Sequence, residues 1–143
     1  MNETRVITLR EVAAQTRYPL DAFHFVRRGL DYTVHQAHPE PNKLTEQERH
    51  VSGAQLSWGL RDFAIEQYGR LARTVLRRWR ITRTEDFGRI VFAMVEAGLM
   101  QATESDTMRD FDGVFDLEAA LEGPIPMDRV PTDGFEADTV EQG

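Results

Sequence analysis

Four stretches of this chain carry large apolar side chains at the spacing of an α-helix, and this periodicity constrains the fold most. They run over residues 20–34, 56–63, 71–79 and 87–95. Apolar residues three and four positions apart place one side of a helix in an interior. A length of 143 residues suits one hydrophobic core. We therefore predict a mainly α fold, a compact single-domain bundle of four to five helices over residues 5–122.

Helix boundaries follow from the residues that flank these stretches. Pro19 is tolerated in a first turn and predicts the start of a long helix ending near Gln36. Gly69 predicts a break between two helical pieces, and Gly98 predicts a left-handed helix end. Capping-box spacing occurs at Thr8 with Glu11, at Ser52 with Gln55 and at Thr82 with Glu85.

The apolar side chains of residues 83–97 point in more than one direction, which predicts a central helix. Two prolines and several charges predict a loop over residues 38–48. Beyond Met100 we expect a short extended piece and a last helical turn, and a short C-terminal β-hairpin would give a winged-helix-like alternative. Residues 123–143 have the composition of a flexible acidic tail.

Charge divides the chain into two parts. Residues 1–100 hold 15 basic and 12 acidic side chains, a balance of +3, whereas residues 101–143 hold 2 and 12, a balance of −10. This asymmetry predicts an intramolecular contact or a solvated acidic arm beside a mildly basic body. In particular, Asp106, Asp110, Asp112 and Asp116 are expected to fold over the arginine-rich helix described below.

Composition also excludes several classes of protein. The absence of cysteine excludes disulfides, thiolate metal sites and cysteine nucleophiles. No apolar run reaches the roughly 20 residues that cross a bilayer, and the first residues do not resemble a signal peptide. We expect a cytoplasmic protein that makes no membrane contact and needs no cofactor.

Several blocks together resemble a family of short bacterial proteins, the Minf type, found in verrucomicrobia and planctomycetes. The blocks are DAFHFVRRGLDYTV at 21–34, RHVSGAQLSWGLRDFAIEQYGRLARTVLRRW at 49–79, TEDFGRIVFAMVEAGLM at 84–100 and DFDGVFDL at 110–117. Two positions depart from the family pattern, Tyr68 in place of Phe and Arg80 in place of Gly. The resemblance implies a bacterial cytoplasmic protein, and it implies no activity and no catalytic residue.

An arginine-rich helix supplies the main candidate site. Spacings of three, four and three place Arg70, Arg73, Arg77 and Arg80 on one face, and Arg83 extends it. Such a face is typical of a solvated helix side, and it also suits an anion or partner surface. Leu71 and Trp79 are expected on the opposite face. Trp58 lies off its own apolar face, which is typical of packing and also of a protein contact.

Metal and catalytic motifs are weak. Asp31, His35 and His38 have helical spacing for a metal site, but Pro39 disfavours helical geometry at His38. The DFG triplet at 86–88 lacks the remaining kinase motifs, and its Asp86 fits a helix first turn. Ser52 beside His50 fits a helix cap better than a catalytic triad.

These observations favour a non-enzymatic protein-binding or adaptor module. The second hypothesis is a nucleic-acid-associated regulator that uses the arginine face, and the third is a small metal-dependent enzyme.

Overall fold

A computed structural model describes residues 7–37 and 50–122. The loop predicted over residues 38–48 lies outside the described residues, and so does the tail predicted over 123–143.

The described chain contains six α-helices and no strand, which confirms the mainly α prediction. The helices are α1 Leu9–Ala14, α2 Leu20–Ala37, α3 Gly53–Tyr68, α4 Ala72–Arg78, α5 Thr84–Glu96 and α6 Leu117–Glu122. Two 3₁₀ turns, Gly69–Leu71 and Met108–Phe111, complete the elements. The winged-helix alternative is wrong for the described residues, because a 3₁₀ turn and α6 occupy the place of the expected hairpin.

Helices α2 and α3 form the closest helix pair, because glycines let their backbones approach. A Cβ on Gly59 would lie 1.9 Å from the Thr33 hydroxyl oxygen, and one on Gly29 would lie 2.2 Å from Leu60 Cδ2. The Thr33 hydroxyl is already held, since it donates to the Gly29 carbonyl at 2.7 Å. A Cβ on Gly59 would also lie 2.8 Å from Thr33 Cβ, so a larger residue there would push the two helices apart.

Helix α5 lies in the interior, as its broad apolar surface predicts. Phe87, Ile90 and Met94 are fully buried, with no exposed surface. Helices α1, α2 and α3 all contact it, as does the 3₁₀ turn Met108–Phe111. Burying each large apolar side chain is worth roughly 1.5–3 kcal/mol, so α5 contributes a large share of the stabilising free energy.

Two of the three predicted capping boxes are present. Glu11 N–H donates to the Thr8 hydroxyl at 3.1 Å, and Gln55 N–H donates to the Ser52 hydroxyl at 3.0 Å. The third is wrong by one residue. Asp86, not Glu85, accepts from the free backbone N–H groups before α5, those of Thr82 at 2.9 Å and Arg83 at 3.0 Å.

Glycine and one arginine set the remaining helix ends. Gly69 ends α3 with a φ of 54°, and Gly98 follows α5 with a φ of 79°, as predicted. Arg80 has a φ of 67°, the left-handed region that favours glycine. Ile81 N–H donates to the Leu76 carbonyl at 2.9 Å, the closing bond of a Schellman motif. The tight turn after Trp79 therefore forms with Arg80 in the left-handed position.

Candidate binding groove

An open groove of about 1100 Å³ lies where α2, α3 and α5 meet the segment 98–111. Its apolar floor comes from all three helices and the segment: Leu30, Val34, Leu56, Val91, Phe92 and Leu99. Its polar lining includes Asp31, His35, His50, Asp106 and Asp110. The groove therefore combines apolar side chains with titratable groups, as binding sites do.

Local backbone features bring the segment 98–111 beside α3. Gly98 reverses the chain after α5, so the following residues cross back towards the start of α3. A Cβ on Gly53 would lie 2.7 Å from Asp110 Cβ, so only glycine permits this approach. Asp110 in turn accepts from Thr107 N–H at 3.0 Å and stabilises the first turn of the 3₁₀ helix. These contacts fix one wall of the groove.

A His–Asp pair also joins the residues before α3 to the segment 98–111. His50 Nε2 lies 2.8 Å from Asp106 Oδ2 and 2.9 Å from Oδ1, although 56 residues separate the two in sequence. Asp106 also accepts from Thr103 N–H at 2.8 Å. Burial raises the pKa of the Asp106 carboxyl, but its hydrogen bonds from Thr103 and His50 outweigh this and leave the pKa below its ordinary value. Asp106 is therefore a charged anchor for the turn.

The predicted metal candidates divide between the groove and the undescribed loop. His35 Nδ1 lies 2.8 Å from the backbone carbonyl of Asp31, so one ring nitrogen is held within α2. His38 lies outside the described residues. Within 7–37 and 50–122, no group of three His, Asp or Glu side chains could hold a metal ion.

Most titratable groups in the groove have structural hydrogen bonds. His50, Asp106 and Asp110 each fix backbone or a neighbouring side chain. Ser52, as predicted, accepts from Gln55 N–H as a helix cap. These hydrogen bonds hold the lining of the groove in place.

The arginine face is shorter than predicted. Arg73 and Arg77 lie on α4, but Arg70 lies in the 3₁₀ turn before it and Arg80 beyond its end. The left-handed backbone of Arg80 explains its departure, because the helical spacing stops at Arg78. Arg83 lies in extended backbone immediately before α5, so it does not continue the helical spacing of α4. The five arginines therefore do not form one continuous row.

Acidic residues of α6 cover the two arginines on α4. Arg77 Nε donates to Glu118 Oε2 at 2.9 Å, and Arg73 Nη1 lies 2.6 Å from Glu122 Oε2. The expected contact from the acidic C-terminal part is thus present with different residues. Asp106 and Asp110 line the groove instead, and Asp116 accepts from Ala119 N–H at the start of α6. Leu71, expected to be buried opposite the arginines, is 63% exposed.

Trp58 packs within the protein on one side of its ring. The ring centroid lies 4.0 Å from that of Phe115, and the Arg61 guanidinium lies 5.7 Å from the Trp58 centroid. The residue stays 37% exposed. Packing therefore explains much of its position, and its role as a partner contact stays a prediction.

The DFG triplet has a structural explanation at each position. Asp86 is 2% exposed and accepts from Tyr18 at 2.5 Å and Arg89 at 2.8 Å, besides its two backbone bonds. Phe87 is in the core. A Cβ on Gly88 would lie 2.9 Å from three atoms of the Phe111 side chain. The triplet therefore joins α5 to the α1–α2 connection and to the 3₁₀ turn.

Sequence reasoning missed the groove and the Asp86 cluster for the same physical reason. His50 with Asp106 and Tyr18 with Asp86 are far apart in the chain, so no local spacing marks them. The acids at 106 and 110 were assigned to the arginines from charge alone. Only the chain reversal at Gly98 offered a local indication that residues 98–111 return to the helices.

No known family model, curated protein or solved structure matches this chain. No described helix is both long and apolar enough to cross a membrane.

Proposed function

We propose that this chain is a non-enzymatic protein-binding module, and that a short segment of its partner lies in the groove. The observation that carries the proposal is the groove itself, with an apolar floor built from three helices. Its volume of about 1100 Å³ lies just above the range of small-molecule sites, roughly 300–1,000 Å³. The bacterial cytoplasm is the proposed location, and it rests on the family resemblance.

The hydrogen bonding of the lining supports a preformed binding surface. His50, Asp106 and Ser52 hold the walls in place, so the groove is preorganised and a partner would not have to order it. Preorganisation lowers the entropic cost of association and favours affinity.

A display selection tests the proposal. The full chain is used to select from a library of short peptides, and each binder is retested against Val34→Asp and Leu71→Asp. Val34 lies in the groove floor, whereas Leu71 is an exposed apolar residue outside the groove lining. A charge in the floor should weaken binding by about tenfold or more, because the carboxylate must be desolvated.

Leu71→Asp is the matched control, and it should bind each peptide as the unchanged protein does. Met100→Asp provides a second groove variant on a different element, in case Val34→Asp fails to fold by circular dichroism. A selection without binders would overturn the proposal, as would binders that both groove variants retain.

Nucleic-acid binding is a second candidate, favoured by one observation. Arg70, Arg80 and Arg83 are exposed, and none forms an ion pair within the described residues. The cover of Arg73 and Arg77 by α6 opposes it, since a phosphate would have to displace Glu118 and Glu122. Retention on heparin that depends on Arg70 and Arg83 would support this candidate.

A further inference from the structure

The described lining of the groove holds carboxylates but neither lysine nor arginine. It includes three aspartates, Asp31, Asp106 and Asp110, and two histidines, His35 and His50, of which His50 is paired with Asp106. Asp31 and Asp110, which have no such cationic partner among the described residues, make the groove a local acidic surface.

Part of this acidity has no partner among the described residues. The Asp31 side chain is exposed, and no hydrogen bond or ion pair joins it to a described residue. Among the described residues, Asp110 accepts only through Oδ2, from Thr107, although a carboxylate can accept several hydrogen bonds. Both groups can therefore accept hydrogen bonds from a partner without losing a contact to a described residue.

The architecture restricts the conformation of the partner segment. Strand addition needs an exposed sheet edge, and residues 7–37 and 50–122 contain no strand. Polyproline recognition uses aromatic-lined grooves, whereas most of this floor is aliphatic. An amphipathic helix instead places apolar residues at positions i, i+3, i+4 and i+7 on such a floor.

Resting on the proposed function, we infer that the groove takes a basic amphipathic helix of a partner protein. Its apolar face packs on Leu30, Val34 and Phe92, and its Lys or Arg side chains reach Asp31 and Asp110. Charge complementarity of this kind sets partner choice and association rate more than affinity.

Two matched peptides test the inference. Each is about 14 residues long, enough to form a helix on binding, with the same leucine positions and with lysine or glutamate at the polar positions. Binding to the full chain is measured by fluorescence anisotropy at low and moderate salt. The lysine peptide should bind at least about tenfold more tightly, and the difference should shrink as salt screens the charges.

Four variants separate binding in the groove from general attraction to an acidic protein. Asp31→Asn should weaken the lysine peptide about threefold, whereas Glu66→Gln, which removes an exposed carboxylate outside the lining, should not. Val34→Asp adds negative charge, so general attraction would strengthen with it. Loss of binding in Val34→Asp, with binding retained in Leu71→Asp, identifies the groove.

The possible failures are distinguishable. If both peptides bind equally and Val34→Asp weakens both, the proposed function stands and the inference of a basic partner is overturned. If Glu66→Gln weakens the lysine peptide as much as Asp31→Asn does, the attraction is general and the inference is overturned. If the inference is overturned and the library selection yields no groove binder either, the proposed function fails together with the inference.

Discussion

Single residues explain the chain's most conspicuous motif without any catalytic role. Asp86 receives hydrogen bonds from Tyr18, Arg89 and two backbone N–H groups, so every lone pair facing the interior has a partner. A buried carboxylate is tolerated only when it is satisfied in this way. The sequence predicted Asp86 in the first turn of α5, but its neighbour Tyr18 is 68 residues away and gave no local indication.

Arg80 provides a residue-scale prediction. Its φ of 67° costs an L side chain roughly 1–2 kcal/mol relative to right-handed backbone, and glycine does not carry this cost. Arg80→Gly should therefore stabilise the protein by about 0.5–1 kcal/mol, even after the added flexibility of the unfolded chain. Urea unfolding measures the change.

Arg78→Gly is the matched control, since Arg78 is the exposed last residue of α4. Glycine in a helix costs up to about 1 kcal/mol, so the two arginine-to-glycine changes should have opposite signs. Equal destabilisation by both would show that the left-handed turn does not control the stability of this site.

At the scale of whole elements, periodicity predicted best where burial is complete. The apolar pattern of α5 identified a central helix because its side chains contact several neighbours. The arginine helix was extended too far, since spacing alone does not show that a left-handed residue ends it. Composition also does not show which acidic side chains meet which arginines. Burial of Leu117 and Leu121 docks α6 on the core, and this brings Glu118 and Glu122 to the arginines of α4.

The contact between α4 and α6 predicts a change in anion affinity. Glu118→Gln with Glu122→Gln removes the carboxylates that neutralise Arg73 and Arg77. This double variant should elute from heparin at higher salt than Glu66→Gln with Glu96→Gln, which has the same net charge. Both glutamates of the control are exposed and form no ion pair with a described residue. Identical elution would mean that α6 does not shield the arginines.

For the whole molecule, the limit of sequence reasoning was tertiary proximity. The helices, most caps and the single core followed from local patterns, but the groove depends on the return of residues 98–111 to α2 and α3. The acidic residues were correctly seen as a C-terminal feature, yet they serve three places: the groove, the 3₁₀ turn and the α4–α6 contact. A charge balance alone does not distinguish these destinations.

The stability of the whole protein at acid pH should depend on two carboxylates, Asp86 and Asp106. Burial raises the pKa of Asp86, but its hydrogen bonds and the Arg89 charge outweigh this and lower the pKa overall; the pKa of Asp106 is lowered as well. An unfolded aspartate titrates near about 3.9. The stabilisation is therefore complete above about pH 4 and is lost as the pH falls through the lowered folded values.

Asp86→Asn should reduce the free energy of unfolding at pH 7 by about 1–3 kcal/mol, because the amide cannot accept as the carboxylate does. Its deficit relative to the unchanged protein should then shrink as the pH falls below about 4, because protonation of Asp86 removes from the unchanged protein the interaction that the amide already lacks. Asp106→Asn should show a smaller deficit of the same form, because Asp106 is more exposed than Asp86. Urea unfolding at each pH measures both. A constant deficit for Asp86→Asn from pH 7 to pH 2 would show that the lost packing, rather than the buried charge, accounts for its effect.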